Sequence, residues 1–348
     1  MDIDIIGLFL APSHSGTKTI EDAISDIVEQ QINVGLKYIT SGGIRWNHWR
    51  DDFFFGFNGV TNEVLDSGHV YSPIKSFSNL VRFNNRISFN PLHPYLDDIR
   101  YLSKIIPTGA ICRQIIPSPS ELYIKAMLTS KEYPNSPYEL EDILLSDIAE
   151  TYNKTILALY ECGCRSIILD DTICGKLCET SYTKRLLLSA IDIVELQNKI
   201  INVINKSLTE LPTDLEIAIY LSSGDNIVPE WEYIQYPDNI MPRILKKVNV
   251  DKFFMPFDAR DDYSAKILQH VPKNKKVVLG LIDAHSPFPD NEDSIIRFIT
   301  LAQKQIEPSQ LLIGAKSGFK LSNFDIRGLD YNSQWSKIKT LTNISNKI

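Results

Sequence analysis

The run KKVVLGLIDAHSPFPDNED at residues 275–293 constrains the fold of this chain more than any other stretch. Val277, Val278, Leu279, Leu281 and Ile282 are apolar almost without interruption, as in a strand buried on both faces of a parallel sheet. A one-sided antiparallel strand would alternate apolar and polar residues instead. The run gives out at Asp283-Ala284-His285-Ser286, and a helix start follows at Asn291. A carboxylate, an imidazole and a hydroxyl thus arrive at the C-terminal end of a strand, where barrel enzymes place their chemistry.

The same unit recurs along the chain. Runs at 2–10, 36–40, 110–116, 166–169, 215–221, 252–257, 277–282 and 311–315 read as strands. Helical spacing fills nearly every interval: a helix capped by Thr19 and stopped by Gly35, then 95–106, 138–162 closed by Gly163, and 183–208. Eight alternating units predict an α/β fold, a single (β/α)8 TIM barrel occupying 1–348 as one domain, over an open doubly wound sheet. After the second strand comes an irregular excursion, 45–108, rich in aromatics: Trp46, Trp49, Phe53, Phe54, Phe55, Phe57 and Tyr71. It reads either as a lid-like wall of a substrate site or as a hydrophobic plug or dimer patch.

Composition narrows the partners. The net charge is −7 and no Lys/Arg-rich run stands out, which argues against nucleic acid and for a small-molecule substrate. The N-terminus lacks the basic region of a signal peptide, and no apolar run reaches membrane-spanning length, so no membrane association is expected. Five cysteines, an odd number, fit a reducing cytoplasm. Neither G-x-G-x-x-G at the first turn nor G-x-x-x-x-G-K-[ST] is present, which weakens dinucleotide and P-loop readings. Cys162-x-Cys164 and Cys174-x-x-x-Cys178 flank one strand, so a barrel separates them to opposite ends and they make no joint metal site.

A barrel gathers the strand ends into one bowl: Asp170, Asp171, Tyr220, Ser222, Asp225, Asp258, Arg260, Asp283, His285, Lys316 and Ser317. His285 is the only histidine on a strand end. Beside Asp283, Asp258 or Asp170 it suits a general acid or base near neutral pH; the alternative is a bond to loop backbone. Asp170 and Asp171 point to opposite faces of their strand, so only one faces the barrel axis. One can bind a substrate ammonium while the other pins a loop. Arg260 can grip a carboxylate or phosphate, or pair with Asp258 or Asp262.

These strand ends carry a resemblance. Ile6-Gly7, Thr40-Ser-Gly-Gly-Ile-Arg45 with Trp49 and Phe53, Ile116-Pro-Ser-Pro-Ser120, Leu169-Asp-Asp-Thr172, Leu221-Ser-Ser-Gly-Asp225, Phe257-Asp-Ala-Arg260, Asp283-Ala-His-Ser-Pro287 and Lys316-Ser-Gly-Phe319 follow in order. Over essentially its whole length the chain resembles the catalytic barrel of the cobalamin-independent methionine synthase family. The resemblance implies a barrel in which zinc activates the thiol of homocysteine to take a methyl group from methyltetrahydrofolate. Zinc replaces the thiol proton and keeps the sulfur nucleophilic at neutral pH.

The departures matter more than the matches. The family's zinc ligands are a His-x-Cys pair, a Glu and a Cys. They fall here on Tyr220 and Ser222, on Pro256 (Phe257 in the adjacent register) and on Ser317, none a normal zinc donor. The substrate-amine Glu falls on Gly43, and the Ser after Ile-Gly falls on Leu8. Asp170 survives from the amino-acid grip, and His285 matches the family's proposed proton donor. The expectation is a zinc-free paralogue, an enzyme of methyl or one-carbon transfer or related acid–base chemistry on a small polar, amino-acid-like substrate.

In that expectation His285, Asp283 and Asp170 are catalytic, and Asp170, Asp171, Ser222, Asp258, Arg260, Ser317 and Trp49 contact the substrate. A folate is the methyl donor in the most family-like version, and the partner is a second copy or a companion subunit. The alternatives are a non-catalytic ligand- or partner-binding paralogue and a methionine synthase with a replaced metal site.

Overall fold

In the computed structural model, which describes residues 1–12, 19–64, 79–132, 137–222, 240–320 and 329–348, strands and helices alternate. The chain runs through α1 (Ile20–Asn33), β1 (Tyr38–Ile39), α2 (Trp49–Phe55), β2 (Asn58–Val64), β3 (Asn79–Ser88), α3 (Pro94–Ile105), β4 (Ile111–Pro117), α4 (Pro119–Glu132) and α5 (Glu141–Glu161). It continues with β5 (Ser166–Asp171), α6 (Thr172–Lys176), α7 (Thr180–Leu188), α8 (Ile193–Ser207), β6 (Glu216–Leu221), α9 (Ile240–Lys247) and β7 (Lys252–Pro256). The last elements are β8 (Lys276–Ile282), α10 (Glu292–Ala302), β9 (Leu311–Ala315) and α11 (Tyr331–Lys347).

Seven strands form one curled parallel sheet in the order β1-β4-β5-β6-β7-β8-β9, surrounded by helices in a TIM-barrel-like arrangement. The N-terminal segment bridges its two edges. Ile3 pairs with Ile313 and Leu8 with Gly42, and Asp4 N–H and Phe9 N–H donate to the Ile313 and Gly42 carbonyls at 3.0 Å each. The continuous strand expected at 2–10 is therefore reduced to two bridges. Gly7 breaks it at φ 87°, where a Cβ would lie 2.5 Å from the Thr40 side chain.

Alternation along the strands explains the unbroken apolar runs. Ile115, Ile168, Ala218, Tyr220, Phe254, Val278 and Leu312 pack inside the sheet with Ile6, Leu8 and Trp49. Their neighbours Ile167, Leu169, Ile217, Ile219, Phe253, Met255, Val277, Leu279 and Ile313 belong to the separate core that includes the helices. Both faces of each strand are buried, so neither can carry solvated polar residues.

At the N-terminal ends of the strands the interior is ionic. Arg113, with no exposed surface, grips Asp4 through both Nη atoms and donates from Nε to Ser166 Oγ at 3.0 Å. Lys252 Nζ lies 2.7 Å from Asp4 Oδ2 and 3.0 Å from Glu216 Oε2. The Arg113 guanidinium also sits 3.7 Å from the centroid of the Tyr38 ring.

Three further expectations are corrected. The single helix expected over 183–208 is two, α7 and α8: Ala190 turns at φ 57°, and Asp192 then caps α8 by accepting from Val194 and Glu195 N–H. Pro117-Ser118-Pro119-Ser120, read as a strand terminus alone, opens α4 with Pro119 as its first residue. Over its described residues the excursion 45–108 is not irregular, since it holds α2, the antiparallel pair β2–β3 and α3. Its aromatics divide: Phe53, Phe54 and Phe57 join the outer core with Tyr95 and Tyr152, whereas Trp49 enters the interior cluster. Tyr71 lies outside the described residues. Among the described residues no helix is long and apolar enough to cross a membrane.

Candidate functional site

The polar strand ends separate into two groups at the mouth, joined by Tyr220. The first is built on Asp170, the last inward-facing residue of β5, whose carboxylate is 2 % exposed. Arg50, in the first turn of α2, reaches it from 120 residues away in sequence: Nε lies 2.6 Å from Asp170 Oδ2, and Nη2 contacts the same oxygen. The guanidinium lies 4.7 Å from the centroid of the Trp49 ring. Asp170 Oδ1 is buried and has no hydrogen-bond partner among the described residues.

Burial pushes the Asp170 carboxyl up to about 6, against the pull of Arg50, with Glu121 and Asp171 adding to the rise. A carboxyl whose folded value exceeds its ordinary value stabilises the fold below the ordinary value and loses that contribution as pH rises to about 6. Between pH 4 and 6 the wild type should lose on the order of 2–3 kcal/mol that an Asp170→Asn variant does not. Urea melts of the two proteins across that window measure the difference in slope; parallel curves would contradict it.

Asp171 faces the other way. Its Oδ1 accepts from Cys174 N–H at 2.8 Å, capping α6, and its Oδ2 accepts from the Ser120 hydroxyl at 2.5 Å. Both oxygens are thus committed to the fold. Glu121 of α4 closes the same layer by accepting from the Thr172 N–H at 2.7 Å and from the Thr172 hydroxyl.

The second group joins β8 and β9. His285 Nε2 lies 2.7 Å from Ser317 Oγ, and both residues are buried. The Ser317 hydroxyl also lies 3.0 Å from the Gly318 carbonyl, to which it donates. With that proton committed, Ser317 Oγ accepts from His285 Nε2–H. Asp283 serves the backbone: its Oδ1 accepts the His285 N–H at 3.0 Å. At Nε2 the imidazole meets a serine hydroxyl, and Asp283, expected beside the ring, is turned to the backbone.

Tyr220 connects the groups. Its ring packs with Trp49 in the interior, its hydroxyl donates to the Lys316 carbonyl at 2.9 Å, and Ser222 hydrogen-bonds to it. Burial, with the Asp170 charge nearby, holds its phenol well above the ordinary range. It is therefore a neutral hydroxyl.

The remaining expected residues stand apart. Arg260 spends Nε and Nη2 on Asp258 at 2.9 and 2.7 Å, and its side chain is 83 % exposed. That bond, first among the causes, draws Asp258 down to about 2. The pair is a surface clasp. Asp225 lies outside the described residues.

Two residues escaped the sequence reading. Arg50 is one, because nothing local marks its distant partner. Lys320 is the other: it is buried and donates to the Gly43 and Trp46 carbonyls at 2.8 and 3.0 Å. It ties the turn after β9 to the segment that delivers Trp49 and Arg50, and burial draws its ammonium down to about 8.

At the positions the resemblance gives to zinc ligands, the residues present are poor donors for that metal. The neutral Tyr220 hydroxyl, the bonded hydroxyls of Ser222 and Ser317 and the ring of Pro256 offer no thiolate, imidazole or carboxylate. Among the described residues no group of three or more His, Cys, Asp or Glu could hold a metal ion. Cys164 and Cys174 are fully buried, and desolvation pushes the Cys164 thiol up to about 12.

Fold and site together define a TIM-barrel-like α/β protein with a polar mouth at the C-terminal strand ends. Solved structures it resembles are vitamin-B12-independent methionine synthase-like proteins and a methyltransferase. The crystal structure of a protein assigned as a vitamin-B12-independent methionine synthase from Listeria monocytogenes matches with a TM-score of 0.73 and 25 % identity, covering 100 % of this chain and 97 % of that one. A B12-independent methionine synthase from Shewanella sp. W3-18-1, in complex with selenomethionine, matches at 0.68 with 15 % identity, covering 99 % and 97 %. A methyltransferase from Methanosarcina mazei matches at 0.54 with 9 % identity, covering 94 % and 85 %. Among curated sequences, the uncharacterized proteins YxjG and YxjH of Bacillus subtilis (strain 168) are 27 % and 28 % identical over 328 residues each. Those alignments cover 94 % and 93 % of this chain and 85 % and 84 % of the relatives. No family model matches the chain.

Proposed function

We propose that this chain is a zinc-free paralogue of the cobalamin-independent methionine synthases, an enzyme of methyl or one-carbon transfer, or of related acid–base chemistry, on a small polar substrate at the barrel mouth. The fold likeness to methionine synthase-like and methyltransferase structures supports the methyl-transfer side of this reading. The observation that carries it is the His285–Ser317 bond at 2.7 Å. Where the resemblance puts a zinc-bound cysteine, a serine instead holds the imidazole that matches the family's proton donor.

In this reading His285 is the proton shuttle. A proton delivered to a nitrogen of a folate donor, or to the leaving atom of another methyl donor, makes the departing group neutral. Asp283 fixes the backbone of the shuttle, and Tyr220 and Ser317 shape its pocket. Trp49 and Arg50 of α2 wall the site. Five cysteines, an odd number, suit the reducing cytoplasm in which we place the protein.

Chelator-treated protein, incubated with carbon-13-labelled methyltetrahydrofolate and a pool of small acceptors, tests the reading by NMR. Transfer of label without added metal, lost in His285→Asn, is expected. Transfer that appears only after zinc is restored would sink it.

A further inference from the structure

Asp170 is closed to a cationic ligand, while the arginine that closes it is open. Arg50 Nε and Nη2 converge on Asp170 Oδ2, which uses up that oxygen's lone pairs. Asp170 Oδ1 has no solvent-exposed surface and no partner among the described residues, so an incoming ammonium finds no accessible carboxylate oxygen there. The guanidinium therefore stands where a substrate ammonium would otherwise pair. Its Nη1 has no acceptor among the described residues, and about a third of the side chain is exposed (32 %).

We infer that Arg50 makes the mouth selective for a carboxylate-bearing substrate without a required amino group, with Nη1 as the donor. The proposal rests on the mouth being the substrate site. The charges around Arg50 favour a monoanion. Asp170 lies against it, and Asp171 and Glu121 lie behind Asp170, so a phosphate dianion would meet stronger repulsion than a singly charged carboxylate. The neighbouring carboxylates do not compete for Nη1: Asp171 is bound to Cys174 N–H and Ser120, and Glu121 to Thr172. Trp49 backs the guanidinium at 4.7 Å, leaving its edge for the planar fork that arginine presents to carboxylates.

Three probes isolate the groups: L-methionine, its des-amino acid and its decarboxylated amine, each titrated calorimetrically into the full chain, with inorganic phosphate as a fourth. The des-amino acid should bind at least as tightly as methionine and about tenfold or more tighter than the amine. Arg50→Met should remove that preference. Because Arg50→Met strips a buried carboxylate of its partner, the Arg50→Met/Asp170→Asn double variant provides a folded control with the same expected loss.

Amine binding equal to that of the acid, acid binding unchanged in the folded variants, tighter binding of phosphate, or no binding of the acid would each overturn the proposal. His285→Asn separates this from the proton-shuttle reading. If turnover survives that replacement while acid binding still depends on Arg50, the shuttle falls and the carboxylate site stands. If turnover is lost but acid binding ignores Arg50, the reverse holds.

Discussion

His285→Asn is expected to lower turnover by about 10²–10⁴-fold, the usual worth of a positioned general acid or base, with little change in melting temperature. The fold should tolerate the change because Asp283 Oδ1 holds the backbone N–H of residue 285, not its side chain. The asparagine amide can still donate to Ser317 Oγ, so the variant removes the titrating ring while keeping a hydrogen-bond donor. Ser317→Ala is the companion variant. It leaves the ring in place but removes the acceptor at Nε2, so turnover should fall less and its pH dependence should shift. Steady-state rates across pH for both variants, beside thermal melts, check this. Unchanged turnover in His285→Asn would remove the imidazole from the chemistry.

The largest stability effect should come from the opposite end of the sheet. Asp4 is the shared counter-ion of Arg113 and Lys252, and all three are almost wholly buried. Asp4→Ala leaves two cations facing Glu216, which is a quarter exposed and contacts Arg113 at 3.3 Å and Lys252 at 3.0 Å. Breaking a buried ion pair by removing one partner costs about 3–5 kcal/mol, because the remaining charge is desolvated without compensation. Denaturant unfolding should show that loss with little change in the dependence on denaturant. A loss under about 1 kcal/mol would mean that water reaches this end of the interior.

The parallel sheet was legible because burial on both faces forces apolar runs, as in Val277–Ile282, and because such runs recurred with helices between them. The break between α7 and α8 was not legible: Ala190 adopts a left-handed turn that alanine ordinarily avoids. Helix α4 hid behind two prolines, although Pro119 stands at its first position, where a missing N–H does no harm.

At the mouth, strand parity was enough to send Asp170 and Asp171 to different faces. Pairing was another matter. Asp283, expected beside the imidazole, turns back onto the chain, and Arg50 meets Asp170 only through a tertiary contact between α2 and β5. Arg260, placed in the bowl by position, satisfies itself with Asp258 two residues away. Strand-end location marked Asp170, Tyr220, His285 and Ser317 at the mouth but also Arg260, which stands apart; the bonds depended on geometry that spacing does not encode.

We propose that this protein carries out its chemistry without zinc, since Tyr220, Ser222, Pro256 and Ser317 stand where the resemblance puts the zinc ligands. Zinc content by mass spectrometry of the protein purified without chelator tests this most directly. Well under one zinc per chain is expected, with no change in melting temperature or turnover on chelation. One tightly held zinc per chain, whose removal abolishes methylation of homocysteine, would contradict it.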